Sequence, residues 1–347
     1  MIARYKRHNL IFKRPSGTSR GILTEKETWY IILEDNNKIG IGECGILRSL
    51  SFDDRPDYEE KLQWTVKNIH LGKEKLWEEL RNWPSIQFGV EQAFLSLESK
   101  NPFILFPSDF TEHKDAIAIN GLVWMGEEAF MKEQIDEKLK EGFNCVKLKI
   151  GAIDFDKELG LLQYIRKHFS AEQIELRVDA NGGFHPEEAL FKLEQLSTLN
   201  LHSIEQPIKQ HQEYQMEELC KITPLPIALD EELIGVTSYT DKAALLDKIM
   251  PQYIILKPSL VGGFKGSLEW IKLAKERNIG WWITSALESN IGLNAIAQWT
   301  YTLESNMPQG LGTGSLYINN INAPLVVKNG ALWYDDQIQW DHSILDN

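Results

Sequence analysis

The feature that most constrains this chain is an alternation of short β-rich runs with longer amphipathic runs after about residue 112. Strand candidates fall at 116–124 (AIAINGLVW), 145–151 (CVKLKIG), 174–181 (IELRVDAN), 202–208 (HSIEQPI), 226–232 (PIALDEE), 253–259 (YIILKPS), 281–287 (WWITSAL) and 310–317 (GLGTGSLY). Helical patterns such as EEAFMKEQIDEKLKEG and PEEALFKLEQLSTL lie between them. Neighbouring strands start about 25–30 residues apart, the length of one βα unit. Eight such units predict a TIM-like barrel with catalytic groups at the C-terminal ends of its strands.

The remainder reads differently. Residues 1–112 are mixed, with a strand over 26–35, a turn at DNNK leading into the next strand, and helices over 57–70 and 90–99. This predicts an α+β domain over 1–112, which the family resemblance given below makes a cap, a barrel over 113–317 and a final segment over 318–347. That segment reads as a hairpin turning at Asn329-Gly330, expected to return to the cap.

Bulk properties bound the function. The 347 residues carry a formal net charge of −13, which argues against a nucleic-acid partner. The basic N-terminus lacks the apolar core of a signal peptide, and no apolar run is long enough to insert into a membrane. Cys44, Cys145 and Cys220 are scattered, odd in number and without a CxxC pair. The expectation is a cytoplasmic enzyme with reduced thiols acting on a small molecule.

The chemistry sits at the strand ends. Five consecutive barrel candidates carry Lys147 and Lys149, Asp179, Glu205, Asp230, and Lys257. Period-two alternation sends Val146, Leu148 and Ile150 to one face and the two lysines to the other. The same reading opposes Ile227 and Leu229 to Ala228 and Asp230, and Ile254 and Leu256 to Ile255 and Lys257. The charges therefore point into the barrel mouth. Three converging carboxylates repel one another, and each buried charge costs several kcal/mol unless compensated. A divalent cation removes both penalties, and an all-oxygen donor set without His or Cys favours Mg2+, with Mn2+ as a substitute. Such an ion leaves positions for a substrate carboxylate and stabilises an enolate. Abstraction of the adjacent proton needs a base, and a lysine beside a second cation, as Lys149 is beside Lys147, suits that task.

Singly, each of these residues has a blander explanation: a KxK pair as a solvated edge, an Asp as a turn or helix cap, Lys257-Pro258 as a strand end. Jointly, one order of charges at βα spacing is hard to explain structurally. Arg177 reads as an interior ion-pair partner, Trp281 and Trp282 as barrel packing, and Glu231 and Glu232 as supporting or capping groups. The glycine-rich turns at Gly262-Gly263 and Gly310 to Gly314 could offer backbone N–H groups to an anion.

The order Lys-x-Lys, Asp, Glu, Asp, Lys resembles the muconate-lactonising subgroup of the enolase superfamily, which implies a TIM-like (β/α)7β barrel with an α+β capping domain. Within that subgroup the chain resembles the o-succinylbenzoate synthase family, through SGTSRG (16–21), IGECG (41–45), FGVEQA (88–93), INGLVW (119–124), FNCVKLKIG (143–151), VDANGGF (178–184), IEQPI (204–208), LDEEL (229–233), LKPSLVGG (256–263), SALESNIG (285–292) and QGLGTG (309–314). A lysine base paired with Mg2+ is the general arrangement of that superfamily. The resemblance implies a hydro-lyase of menaquinone biosynthesis that dehydrates 2-succinyl-6-hydroxy-2,4-cyclohexadiene-1-carboxylate to 2-succinylbenzoate. It implies Mg2+ on Asp179, Glu205 and Asp230, and Lys149 as proton carrier. Lys257 would be the electrostatic partner opposite, with Lys147 supporting Lys149. It further implies a substrate pocket shaped by Ser16, Thr18, Ser19, Arg20, Gly262, Gly263, Ser285 and Gly312. N-succinylamino acid racemase and muconate cycloisomerase share this machinery and stay open. Dipeptide epimerase is disfavoured, because Gly312-Thr313-Gly314 stands where such enzymes carry an Asp-x-Asp.

Overall fold

The computed structural model describes residues 1–18 and 21–346. Three antiparallel strands open the chain: β1 (Ile2–Thr18), β2 (Gly21–Asp35) and β3 (Lys38–Cys44). β2 and β3 are joined by Asn36 and Asn37, both at positive φ, with Asp35 paired to Lys38. That is the two-residue geometry matching the twist of paired strands. The strand expected at 26–35 thus begins five residues earlier, and β1 is a strand that the sequence reading did not mark. β1 carries Lys6, Arg7, Lys13 and Arg14 on its exposed positions while burying Leu10 and Phe12. As an edge strand with one wetted face it lacks a run of apolar residues.

Helices α1 (Tyr58–Lys67), α2 (Gly72–Glu79) and α3 (Pro84–Glu98) cover this sheet. α3 begins six residues ahead of the expected start, because Pro84 suits a first helical turn. Trp29, Ile31, Leu33 and Ile46 pack with Leu62, Leu76, Ile86 and Phe94 in the cap's core. Contact between β3 and α3 is unusually close. A Cβ at Gly42 would lie 2.0 Å from the Gly89 carbonyl oxygen.

The expected first barrel strand is two strands. β4 (Ile117–Ala118) and β5 (Gly121–Val123) are separated by Ile119 and Asn120, whose N–H groups donate to Gly330 and Gln309 carbonyls. The chain changes partners there, from a C-terminal hairpin to the barrel. After α4 (Glu128–Lys140) come β6 (Cys145–Lys149), α5 (Phe155–His168), β7 (Glu175–Asp179), α6 (Pro186–Ser197), β8 (Ser203–Glu205) and α7 (Glu213–Ile222). β9 (Ile227–Leu229), α8 (Tyr239–Ile249), β10 (Tyr253–Leu256), α9 (Pro258–Val261), α10 (Gly263–Glu276), β11 (Gly280–Ile283) and α11 (Asn290–Tyr301) complete the series.

Strands β5 to β11 form one parallel sheet in sequential order. Its ends are joined by single bridges from Ile119 to Gln309 and from Thr284 to Gly310. The expected eighth strand over 310–317 is therefore reduced to a two-residue closure followed by a 3-10 turn at Gly314–Leu316. A Cβ at Gly310 would sit 2.4 Å from Thr284 Oγ1, so this seam admits only glycine without movement. The outward-facing Val146, Leu148, Leu176, Ile204, Ile227 and Leu256 pack beneath the helices. The inward-facing Ala228, Ile255 and Trp282 fill the barrel floor.

Strands β12 (Leu325–Lys328) and β13 (Ala331–Tyr334) form the expected hairpin, with Asn329 and Gly330 at positive φ. The hairpin adds to β4 rather than to the cap sheet. The return to the cap is made by residues flanking it: Ile321, Ala323, Trp340 and Ile344 pack with Tyr30, Ile32, Ile41 and Phe103. No described helix is long and apolar enough to cross a membrane.

Candidate active site

Between cap and barrel lies a cleft of about 980 Å³. At its floor the ends of five consecutive strands meet. β6 brings Lys147 and Lys149, β7 brings Asp179, β8 Glu205, β9 is followed by Asp230, and β10 by Lys257. Register aligns them, since Lys149 pairs with Asp179 and Asp179 with Glu205. All six are buried or nearly so.

Three ammoniums face three carboxylates. Lys147 Nζ donates to Asp179 Oδ2 at 3.0 Å and Glu205 Oε2 at 2.6 Å. Lys149 Nζ donates to Asp179 Oδ2 at 3.0 Å and Asn181 Oδ1 at 2.6 Å. Lys257 Nζ donates to Asp230 Oδ2 and stands 3.8 Å from Glu205 Oε1. Against the burial that would raise it, Lys147 and Lys149 hold the Asp179 carboxyl well below the usual range. Lys257 does the same for Asp230. Glu205 goes the other way: burial, with Asp179 beside it, pushes its carboxyl up. Lys147 and Lys257 overcome their burial and are held protonated by the carboxylates they touch. Lys147 is thus a cation beside Lys149 that is itself paired with two anions.

The donor set suits a hard divalent cation. It is all oxygen, and Glu205 Oε1 is buried without a hydrogen-bond partner. Among the described residues no three acidic or histidine side chains converge on one coordination point. Lysine ammoniums lie between the carboxylates, Lys147 between Asp179 and Glu205, and Lys257 between Glu205 and Asp230.

Of the expected pocket residues, Ser16, Ser285 and Gly312 line the cleft. Thr18 ends β1, while Ser19 and Arg20 lie outside the described residues. Gly262 and Gly263 are elsewhere. They pack against α2 and α3, where the Gly262 carbonyl accepts from Trp77 Nε1 at 3.0 Å. The N–H groups following them, of Phe264 and Lys265, donate to the Glu91 carboxylate. The anion cradled at this turn is a side chain of the cap, not a ligand. Arg177 is an interior ion-pair partner, with Nε 2.6 Å from Glu175 Oε1. Trp282 is buried against it on the barrel floor.

Sequence reasoning gave no role to two side chains that touch the site. Asn181 holds Lys149, and Trp124 presents its ring 5.9 Å from the same ammonium. Asn181 was within reach of the alternation argument, being two residues beyond Asp179.

A cap sheet over a (β/α)7β barrel, with Lys, Asp, Glu, Asp and Lys on consecutive strands, defines the enolase superfamily. Residues 130–338, more than half of the chain, match the family described as "Enolase C-terminal domain-like". The o-succinylbenzoate synthase of Desulfotalea psychrophila is 49% identical over 94% of this chain and 97% of its own length. The crystal structure of MenC from Desulfotalea psychrophila superposes with a TM-score of 0.85, covering 96% of this chain and 99% of that one at 45% identity. A muconate lactonizing enzyme from Pseudomonas fluorescens, at 22% identity and a TM-score of 0.83, covers 99% of this chain and 97% of its own and shares the fold. The chain belongs to the o-succinylbenzoate synthase family.

Proposed function

We propose that this chain is a hydro-lyase that converts 2-succinyl-6-hydroxy-2,4-cyclohexadiene-1-carboxylate to 2-succinylbenzoate. The observation that carries the reading is the strand order. Lys149 on β6 and Lys257 after β10 flank the cleft from opposite sides, with a carboxylate on each of the three strands between them. A proton next to a carboxylate is removed only if a base stands on one face and the developing charge is held from elsewhere.

In this reading Lys149 takes the proton on the carbon bearing the carboxylate. The C–O bond to the neighbouring hydroxyl breaks, Lys149 returns its proton to that hydroxide, and water leaves a now aromatic ring. Lys257 holds negative charge on the carboxylate oxygens from the opposite wall. Lys147 keeps Asp179 and Glu205 in place. Asp179, Glu205 and Asp230 would hold Mg2+, or Mn2+ in its stead, which supplies Lewis-acid stabilisation of the enolate when bound. Ser16, Ser285 and Gly312 shape the walls. Residues 1–112 act as the cap and 113–317 as the barrel, with 318–347 running back to the cap.

Racemisation of N-succinylamino acids needs the same two lysines and is the rival reading. The test is a direct assay with both substrates. Formation of 2-succinylbenzoate at the higher kcat/KM supports the proposal, and faster racemisation overturns it. Dipeptide epimerisation is disfavoured by the absence of an acidic side chain from Gly310 to Leu316, where Thr313 instead donates to Ser285.

A further inference from the structure

Asn181 lines the cleft beside the proposed base, with Glu231 buried against it, and neither has a part in the proposed proton transfer. Asn181 follows Asp179 by two residues and sits at φ 43°, a left-handed conformation that Asn tolerates better than most residues. The turn is pinned by its own N–H, which donates to Asp179 Oδ1 at 3.0 Å. The side chain is thereby swung toward β6. Asn181 Oδ1 accepts from Lys149 Nζ at 2.6 Å, and Asn181 Nδ2 donates to Glu231 Oε1 at 3.0 Å. Glu231 is itself buried.

These two contacts fix the amide orientation. Turned over, the amide would place its NH2 against an ammonium and its oxygen against a carboxylate, and both contacts would become repulsive. Glu231 therefore favours the orientation in which Lys149 meets the amide oxygen.

The consequence is stereochemical. A neutral lysine amine, the form that accepts a proton, has two N–H bonds and one lone pair. Among the described residues Lys149 has two acceptors, Asp179 Oδ2 and Asn181 Oδ1. If both N–H bonds are spent on them, the lone pair points away from both, toward the cleft that Lys149 lines beside the Trp124 ring. Without a fixed acceptor at Asn181 the amine can rotate its lone pair away from the substrate.

We propose that Asn181, oriented by Glu231, is a positioning residue that aims the lone pair of Lys149 at the substrate proton. Glu231 acts one step further back, through the amide. The inference rests on the proposed role of Lys149.

The test uses the full-length enzyme with saturating Mg2+. Steady-state kinetics are paired with equilibrium binding of 2-succinylbenzoate. Asn181→Gly removes the amide without straining the left-handed backbone, and is expected to lower kcat about a hundredfold, the scale of a misaimed catalytic group. Glu231→Ala removes the acceptor of the amide NH2 and is expected to lower kcat about tenfold, because misorientation is then partial. In both, KM and product affinity stay within about threefold, since the ammonium and carboxylate groups assigned to binding are retained. Glu231→Gln, whose carbonyl still accepts from the amide, recovers most of the loss. The Asn181→Gly/Glu231→Ala double variant is no slower than Asn181→Gly alone, because both act along one line.

Glu231→Ala at wild-type kcat, or losses that multiply in the double variant, overturns the relay. Should Glu231→Ala fail to fold, Asn181→Asp carries the test. It tolerates the same backbone and always presents an oxygen to Lys149, and combined with Glu231→Gln, whose NH2 donates to the second oxygen, it is expected to keep about tenfold more activity than Asn181→Gly. Equal losses overturn the proposal. A wild type that makes no 2-succinylbenzoate counts against the proposed function. A wild type that makes it, with Glu231→Ala unchanged, counts against the relay alone.

Discussion

The carboxylate of Glu43, on cap strand β3, accepts a hydrogen bond from the backbone N–H of Gly292 in the first turn of barrel helix α11, 2.8 Å away. The same carboxylate takes Ser289 N at 2.9 Å, Ser289 Oγ at 2.5 Å and Thr28 Oγ1 at 2.7 Å. It serves as the anion at that helix's N-terminus. The approach is close enough that a Cβ on Gly292 would lie 2.8 Å from Glu43 Oε2, and one on Gly45 2.9 Å from Glu288 Cγ. IGECG and SALESNIG, widely separated in sequence, are thus the two halves of one joint between cap and barrel. The joint ends at the cleft, because Ser285 donates to the buried Glu288 and lines the site.

Removing the carboxylate strands most of these donors. Glu43→Ala leaves the Ser289 and Gly292 N–H groups and the Ser289 hydroxyl without this acceptor, at about 1–3 kcal/mol for each group that finds no substitute, while the Thr28 hydroxyl keeps the Cys44 carbonyl at 3.3 Å. The expected loss is about 3 kcal/mol or more in urea denaturation. A loss below about 1 kcal/mol would show that water or a neighbouring group takes over the joint.

Asp53 gives a stability effect with a definite sign in pH. It is fully buried, and its Oδ2 accepts from Ser85 N at 2.9 Å and Ser85 Oγ at 2.6 Å. Burial nonetheless outweighs these donors and pushes the carboxyl from 3.8 up to about 6. The folded protein therefore keeps this proton to higher pH than the unfolded chain. The contribution is fully present below about pH 4 and is lost as pH rises through about 6. Its size is about 2–3 kcal/mol, from 1.4 kcal/mol per pH unit. Asp53→Asn should remove that slope. Denaturation midpoints of both proteins, measured across pH 4 to 7, are expected to draw together as pH falls. Parallel curves would refute the assignment.

How much of this was legible in the sequence differs by element. The barrel was, because βα spacing and period-two alternation are properties of single strands. The alternation that opposes Lys147 and Lys149 to Val146 and Leu148 needs no knowledge of the partner strand. Elements whose identity depends on a distant partner were not. β1 is a strand because β2 lies beside it, and its basic exposed face hides the pattern. Ile119 and Asn120 interrupt a continuous apolar run because Gly330 and Gln309, some 190–210 residues on, take their N–H groups. The turn at Gly262-Gly263 has the composition of an anion cradle and does cradle one, but its anion is Glu91, and nothing local announces that. The site's charges were legible as a set. Their pairing was not, since Lys147 meets Glu205 only once β7 is interposed.

The two cleft lysines should respond differently to substitution. Lys149→Ala removes the proposed proton carrier, and kcat is expected to fall by about 10³-fold or more with far-UV circular dichroism unchanged. Lys257 is assigned charge rather than proton transfer. Lys257→Arg keeps that charge and should retain activity within about a hundredfold of wild type, although the guanidinium's shape costs alignment. Equal and complete loss in both would favour the two-base chemistry of a racemase.

Metal dependence follows from the charge count. With Glu205 ionised, Lys147, Lys149 and Lys257 balance Asp179, Glu205 and Asp230, so the carboxylates have charge partners without a metal. A divalent cation would make the cluster net positive, which a substrate carrying two carboxylates then offsets. The metal is therefore expected to matter more for turnover than for folding. Exhaustive treatment with EDTA should abolish dehydration while leaving the circular dichroism spectrum intact. Mg2+ should restore activity, with Mn2+ a partial substitute. Binding to the folded state alone should also raise stability, by about 2.7 kcal/mol at a hundredfold excess over Kd. Turnover that survives complete removal of metal, confirmed by elemental analysis, would leave the three carboxylates as partners of the lysines and nothing more.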